Sequence, residues 1–306
     1  MASGRLRLSE GGVDIVRIVD EAIDAMKPVI TDYAPGNLSR SLDREAYVRS
    51  VEDVLEFIRS GSVYQLSLSI RYSSSMVCDS VMALFWGLFE KWPAAYYSRM
   101  LLPDYELLSR SPEKFLTVSN GRVLSRPIKG TLAFDRYQSE LEGSLRDSEK
   151  ESAELSMIVD LIRNDISRSC SYGSVKVSNH KSIFKVDNLL QMYSDVSGVL
   201  KPGADVVDLL FDCFPGGSIT GCPKSSALQL IDKLEPHSRE IYTGSFFEIV
   251  DEHNMDSSIA IRTASRNRKT ERLDFWAGSG IVIDSDPHSE FLETEAKAEK
   301  FIAAIS

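Results

Sequence analysis

The residues of this 306-residue chain whose types and spacing could do chemistry are one lysine, two glutamate pairs, a glycine-rich loop and an arginine. Lys129 lies in Arg126-Pro127-Ile128-Lys129-Gly130-Thr131, a short segment bounded by proline and glycine. A lysine amine attacks only once deprotonated, and its usual pKa of about 10.4 falls when burial or a nearby cation disfavours the ammonium. Arg126, three residues away, is a candidate for that field; the plain alternative is a surface lysine in a turn. Glu151/Glu154 and Glu290/Glu293 are each spaced i, i+3, so each pair shares a helical face. Two such faces across one pocket make an oxygen-only site suited to Mg²⁺, whereas either alone is an ordinary solvated helix side. Lys297 lies one turn beyond Glu293. The run Phe214-Pro215-Gly216-Gly217-Ser218-Ile219-Thr220-Gly221-Cys222-Pro223-Lys224 opens a helix, where unpaired N–H groups attract anions. It also fits a simple strand-to-helix turn. It is not a nucleotide phosphate loop, because Cys222 and Pro223 separate Gly221 from Lys224. Gly278-Ser279-Gly280 is a second place where backbone can approach a ligand. Arg262, in the alternating stretch Ile259–Thr263, offers a fork for a carboxylate or sits on a half-exposed sheet.

The elements that must position these groups follow from periodicity. Residues 42–59 place Tyr47, Val51, Val54, Leu55 and Ile58 on one helical face, and Gly61 stops that helix. Gln65 to Ile70 alternates as a half-buried strand, with Gln65 facing away from Leu66 and Leu68. Residues 115–118 and 123–125 flank Asn120-Gly121, a hairpin signal, and Lys129 lies just beyond it. A helix over Glu149–Asp165 turns Met157, Ile158, Leu161 and Ile162 inward. Strand-like stretches follow at 175–178 and 192–200, and a helix at 224–234 begins after Pro223. Residues 241–250 and 257–264 read as strands paired across Asp251-Glu252-His253-Asn254, and a last helix opens near Pro287. Strands in runs between separated helices predict an α+β fold. The expected organisation is an N-terminal extension, 1–41, and a catalytic domain, 42–306.

A net charge of −10 argues against a nucleic-acid groove and an anionic membrane surface. Cys78, Cys170, Cys213 and Cys222 show no metal-ligand spacing and read as free thiols of a reducing compartment. The N-terminus lacks a signal-peptide pattern, and the longest apolar run, Val81–Phe89, is too short to span a bilayer. The expectation is a cytoplasmic protein.

Seven separated motifs together resemble the chorismate-utilising enzymes: VYQLSLS, YELLSRSPEKF, RPIKGT, MIVDLIRND, FPGGSITGCPK, IAIRTA and AGSGIVIDSDPHSEFLETEAKA. The resemblance covers about residues 42–302 and implies an α/β/β/α arrangement of two antiparallel sheet halves with helices outside. It implies a cleft holding chorismate and Mg²⁺, with Glu154 and Glu293 on the metal and Glu151 and Glu290 in support. It implies that Arg262, Tyr242, Ser218, Lys297 and the backbone of Gly278, Ser279 and Gly280 hold the substrate, with Gln65 and Gly130 beside them. Lys129, Thr131 and Gln191 form the implied catalytic set.

Two positions bear on the reaction. Family members that add water to chorismate carry a lysine base where this chain has Gln65. PIKGT with PGGSITG resembles aminodeoxychorismate synthase component I, and that resemblance implies a lysine that attacks carbon 2 and expels the 4-hydroxyl before ammonia arrives. The implied context is folate and p-aminobenzoate synthesis, with a separate glutamine amidotransferase subunit as ammonia donor. The alternative is anthranilate synthase component I; a chain that kept the fold and lost turnover would bind chorismate or a partner without making product. Gln191 stands where the family usually has histidine, and glutamine donates a hydrogen bond without supplying a proton. Leu155, Glu240, Phe247 and Glu248 also depart from the family pattern.

Overall fold

The computed structural model describes residues 34–77, 81–92, 94–134, 136–186 and 189–305. Two short strands, β1 (Ala34–Pro35) and β2 (Ser39–Arg40), lead to α1 (Arg44–Arg59) and the long strand β3 (Gln65–Val77). Next come α2 (Met82–Lys91), β4 (Tyr96–Leu101), β5 (Tyr105–Ser111), β6 (Lys114–Ser119), β7 (Arg122–Ser125) and β8 (Ile128–Ala133). The middle of the chain holds α3 (Glu140–Arg146), α4 (Glu149–Ser167), β9 (Lys176–Val186), β10 (Leu189–Val199) and α5 (Val206–Cys213). Then follow β11 (Gly221–Cys222), α6 (Lys224–Leu234), β12 (Ser245–Asp251), β13 (Asn254–Ile259), β14 (Thr263–Asn267), β15 (Arg272–Ile281) and α7 (Pro287–Ile305).

These strands build two antiparallel sheets. One has eight strands in the order β1-β3-β15-β14-β5-β4, with β2 and β11 also on β3; the other has seven, β12-β13-β6-β7-β10-β8, with β9 on β10. In β3, Leu66, Leu68, Ile70 and Tyr72 are wholly buried and alternate with polar residues, so one face of the strand turns into a core. That core is closed by Val51 and Leu55 of α1, Leu84 and Leu88 of α2, Ile231 of α6 and Phe301 of α7. Each such side chain removed from water contributes roughly 1.5–3 kcal/mol. The second sheet is covered by Leu155, Val159 and Ile166 of α4 and Val206 and Leu209 of α5. Leu107 of one sheet and Phe246 of the other meet at Ala260, which gives the layers helix, sheet, sheet, helix. The α+β class with two antiparallel sheets is therefore as the sequence implied.

Local chemistry explains the element ends. Asp43 caps α1 by accepting from the Ala46 N–H at 2.8 Å, and Gly61, at φ +77°, turns the chain toward β3. Asn120 (φ +49°) and Gly121 (φ +71°) make the left-handed turn between β6 and β7.

Three strand expectations need correction. β9 and β10 run through residues expected to lie outside strands, because the bulge at Asn179 (φ +50°) and Lys181 (φ +58°) breaks the alternation along β9. The β12–β13 hairpin ends at Ile259; the chain then crosses into the other sheet, where β14 begins at Thr263. Arg262 is thus on the crossing, at φ +52°, and not on a strand. In α4, Ile158 is fully buried, but Leu155, Val159 and Ile166 fill the core where Met157, Leu161 and Ile162 are only partly covered.

Cys170, Cys213 and Cys222 are free thiols; Cys78 lies outside the described residues. Among the described residues no helix is long and apolar enough to cross a membrane.

Candidate active site

Lys129 is delivered by β8, whose next residue decides how close the strand comes to α4. Gly130 has φ +76°, and a Cβ there would meet the Glu151 Cβ and Oε2 at 3.2 Å. Only glycine allows this approach at little cost. It leaves the Lys129 Nζ 3.7 Å from Glu154 Oε2. Burial pushes the Glu154 carboxyl above the usual range; Lys129 pulls it back, while Glu151 and Glu290 push it further up. The two acidic helix faces therefore sense each other across the site. Glu290 is buried, accepts from Ser285 Oγ at 2.6 Å, and has a second oxygen, Oε2, buried without a partner.

The cationic wall comes from α7 and the crossing segment. Lys297 donates to Gly278 O at 3.0 Å and to Glu293 Oε1 at 2.5 Å. Its pKa is lowered by burial first, then partly restored by Glu293, with the Lys129 and Arg262 charges opposing. Burial alone would raise Glu293, but Lys297 outweighs it and holds that carboxyl below the usual range. The left-handed backbone of Arg262 aims its Nη1 at Lys297 O, 3.0 Å away. Burial, aided by Arg110, depresses Arg262 to about 10. Tyr242 stacks on Trp276 with centroids 6.2 Å apart, and burial raises its phenol to about 12.

β3 and β15 form the floor. Gln65 is fully buried, and neither Nε2 nor Oε1 has a partner. A Cβ on Gly280 would stand 2.8 Å from Gln65 Nε2 and 3.6 Å from Lys129 Nζ, so Gly280, Gln65 and Lys129 bound one space. Ser279 points to the opposite face, where its hydroxyl meets Tyr47 OH at 2.9 Å; Tyr47 also reaches Thr294 Oγ1 at 2.9 Å. That bridge ties α1, the glycine strand and α7 together.

The structure thus brings Lys129, Gly130, Glu151, Glu154, Glu290, Glu293, Lys297, Arg262, Gln65, Gly278 and Gly280 into one cluster. Gln191 is half-buried opposite Thr131 on the neighbouring strand, and Thr131 is exposed. Ser218, in the glycine-rich loop, donates to Glu113 Oε1 at 3.1 Å. Glu113 was not singled out in the sequence, although it lies within YELLSRSPEKF. Burial raises its carboxyl above the usual range, and Lys129, Ser218 and Lys297 only partly offset this. A carboxyl after proline at a strand corner was the one available signal. Arg126, expected to place its field on Lys129, is instead held by Asp195 at 2.6 and 3.0 Å.

Among the described residues no three or more His, Cys, Asp or Glu side chains form a ready metal cage. Mg²⁺ does not need one, since it keeps waters and takes few protein oxygens. The unpartnered Glu290 Oε2 and the mutual repulsion felt by Glu154 fit an oxygen-bound cation.

The cluster interleaves its charges, with Lys129 beside Glu154 and Lys297 paired to Glu293 on the same helix, a chemistry suited to a small anionic ligand together with a cation. The profile of the family described as chorismate binding enzyme matches residues 14–303, and the chain belongs to that family. It is 35% identical over 266 residues to aminodeoxychorismate synthase component 1 of Bacillus subtilis, covering 86% of this chain and 56% of that protein. It is 36% identical over 272 residues to anthranilate synthase component 1 of Bacillus pumilus, covering 88% and 52%. The solved structure of anthranilate synthase component I from Streptococcus pneumoniae superposes with a TM-score of 0.80 at 28% identity, over 97% of this chain and 67% of that one. The chain spans about half the length of the curated relatives it matches.

Proposed function

We propose that this chain converts chorismate and ammonia to 4-amino-4-deoxychorismate through a covalent adduct on Lys129, with Mg²⁺, and receives ammonia from a glutamine amidotransferase partner. The observation that carries this reading is a lysine amine bordering the same space as Gln65 and Gly280. Gln65 cannot take a proton, so a base for activating water is absent from that position. Its unpaired amide suits the polar edge of a bound ligand instead.

In this reading Arg262 and Lys297 attract the carboxylates of the substrate. Glu154 and Glu293, supported by Glu151 and Glu290, would hold Mg²⁺, which neutralises carboxylate charge when bound. The Lys129 amine forms a bond to carbon 2, the ring double bonds shift, and the C4–O bond breaks. Glu113, whose burial keeps its proton on to higher pH, protonates the departing hydroxyl so that water leaves. Ammonia then bonds to carbon 4, the double bonds shift back, and the C2–N bond breaks to free the lysine. The Glu113 carboxylate takes the surplus proton from the new nitrogen. Dividing one displacement into two lowers each barrier. Gln191 contributes a hydrogen bond at most.

Anthranilate synthesis is the second reading, favoured by relatives of that name at 36% identity. Product analysis after incubation with chorismate, Mg²⁺ and ammonium salt separates the two. 4-Amino-4-deoxychorismate supports the proposal; anthranilate overturns it. The expected place is folate and p-aminobenzoate synthesis in the cytoplasm.

A further inference from the structure

The loop that carries Ser218 is held from outside the reaction centre. It begins after Cys213 and ends before Lys224, and the Lys224 Nζ joins both ends by donating to Cys213 O at 2.9 Å. The same Nζ lies 2.7 Å from Asp165 Oδ2, a side chain only 5% exposed. Asp165 belongs to α4, the helix that also carries Glu151 and Glu154. One turn before Asp165, Leu161 receives the loop: a Cβ on Gly217 would fall 2.0 Å from Leu161 Cδ2. Residues 154, 161 and 165 share one helical face, so α4 spaces the loop from the lysine site by about 16 Å of rigid helix.

Packing alone does not set the loop. Behind it lies a cavity of about 20 Å³, lined by Asp165, Cys213, Gly217, Ser218 and Glu113, room for about one water. A buried ion pair is costly to desolvate and adds little net stability over an apolar pair. Its presence at the base of a functional loop calls for a positional reason. We propose that Lys224 and Asp165 are a positioning pair that fixes Ser218 against Glu113, the acid of the proposed reaction, on which reading this inference rests. They touch no substrate and act only through the loop.

The test compares kcat/KM and amide hydrogen exchange for Lys224→Met, Lys224→Arg and the neutral double variant Asp165→Asn/Lys224→Met, each with and without Ser218→Ala. The double variant leaves no unpaired buried charge and covers the case in which Lys224→Met fails to fold. The positioning account expects kcat/KM to fall on the order of ten- to hundred-fold in the Met variants and to recover with arginine. On the Ser218→Ala background the same changes cost less than about twofold more, because the residue they position is already gone. Losses that multiply on both backgrounds, or wild-type kcat/KM in both Met variants, overturn the proposal. Exchange of residues 216–221 in ligand-free protein is independent of the reaction: faster exchange in the Met variants supports the clamp, and unchanged exchange rejects it. A wrong product with faster exchange would remove the amination reading and leave the clamp standing.

Discussion

Gly280→Ala places a single methyl at the point where floor and lysine meet. The new Cβ would lie 2.8 Å from Gln65 Nε2 and 3.6 Å from Lys129 Nζ, with no backbone atom among its near neighbours. The lysine contact is ordinary, whereas the amide must retreat by roughly 0.5–1 Å to reach normal separation. Gln65 is fully buried, so the retreat costs about 1–3 kcal/mol or displaces the amide into the ligand space. A misplacement of this size is worth roughly a hundred-fold in rate, or about 2.7 kcal/mol of activation free energy. The assay is steady-state kcat/KM for chorismate with ammonium salt, beside the thermal midpoint. Gly280→Ala should fold and lose about that hundred-fold. Gly278→Ala is the contrast: its Cβ meets Leu68 O at 2.4 Å and Ser69 Cα at 3.0 Å, which is backbone of the next strand. It should lose stability. Wild-type kcat/KM in Gly280→Ala would refute the assignment of this space to the substrate.

Glu113→Gln should abolish turnover yet raise the thermal midpoint above about pH 5. A carboxyl whose folded pKa is raised costs stability only as pH climbs from its unfolded value of roughly 4.3 through the folded one, so wild type and variant should converge at pH 4. Equal midpoints at all pH values would contradict the raised pKa. Glu240 is exposed and holds φ +47°, so Glu240→Gly should gain about 1 kcal/mol in urea unfolding; a loss would show that the turn depends on its side chain. Removing Mg²⁺ with a chelator should stop turnover, and Glu154→Gln or Glu293→Gln should each raise the half-saturating Mg²⁺ concentration about ten- to hundred-fold; an unchanged Mg²⁺ titration in both would remove them as ligands.

The sequence reading was most reliable where function rides on regular periodicity. Spacing puts the acidic pairs on the faces of α4 and α7 and Lys129 just after the Asn120-Gly121 turn, whereas their joint role and the strand that carries Gly278 and Gly280 are not legible from periodicity. Glu113 was not, because its meaning depends on Ser218 arriving from a loop 105 residues away and on two lysines from other elements. The crossing at Arg262 was hidden because the alternation of Ile259–Thr263 continues through the change of sheet, and a left-handed arginine leaves no trace in residue type. The true length of β9 was hidden by its bulge, where two residues at positive φ reset the alternation. The pairing of Arg126 with Asp195 joins residues 69 apart in the chain, beyond the reach of any local pattern.

The central claim is that Lys129 bonds to the substrate. Intact-mass spectrometry of the protein with chorismate and Mg²⁺, without ammonia, tests it directly against Lys129→Ala. The account predicts an added mass equal to chorismate less one water on the wild type, absent from the variant and discharged by ammonium salt. No adduct on the wild type, with the same aminated product from both proteins once ammonium is supplied, would contradict it.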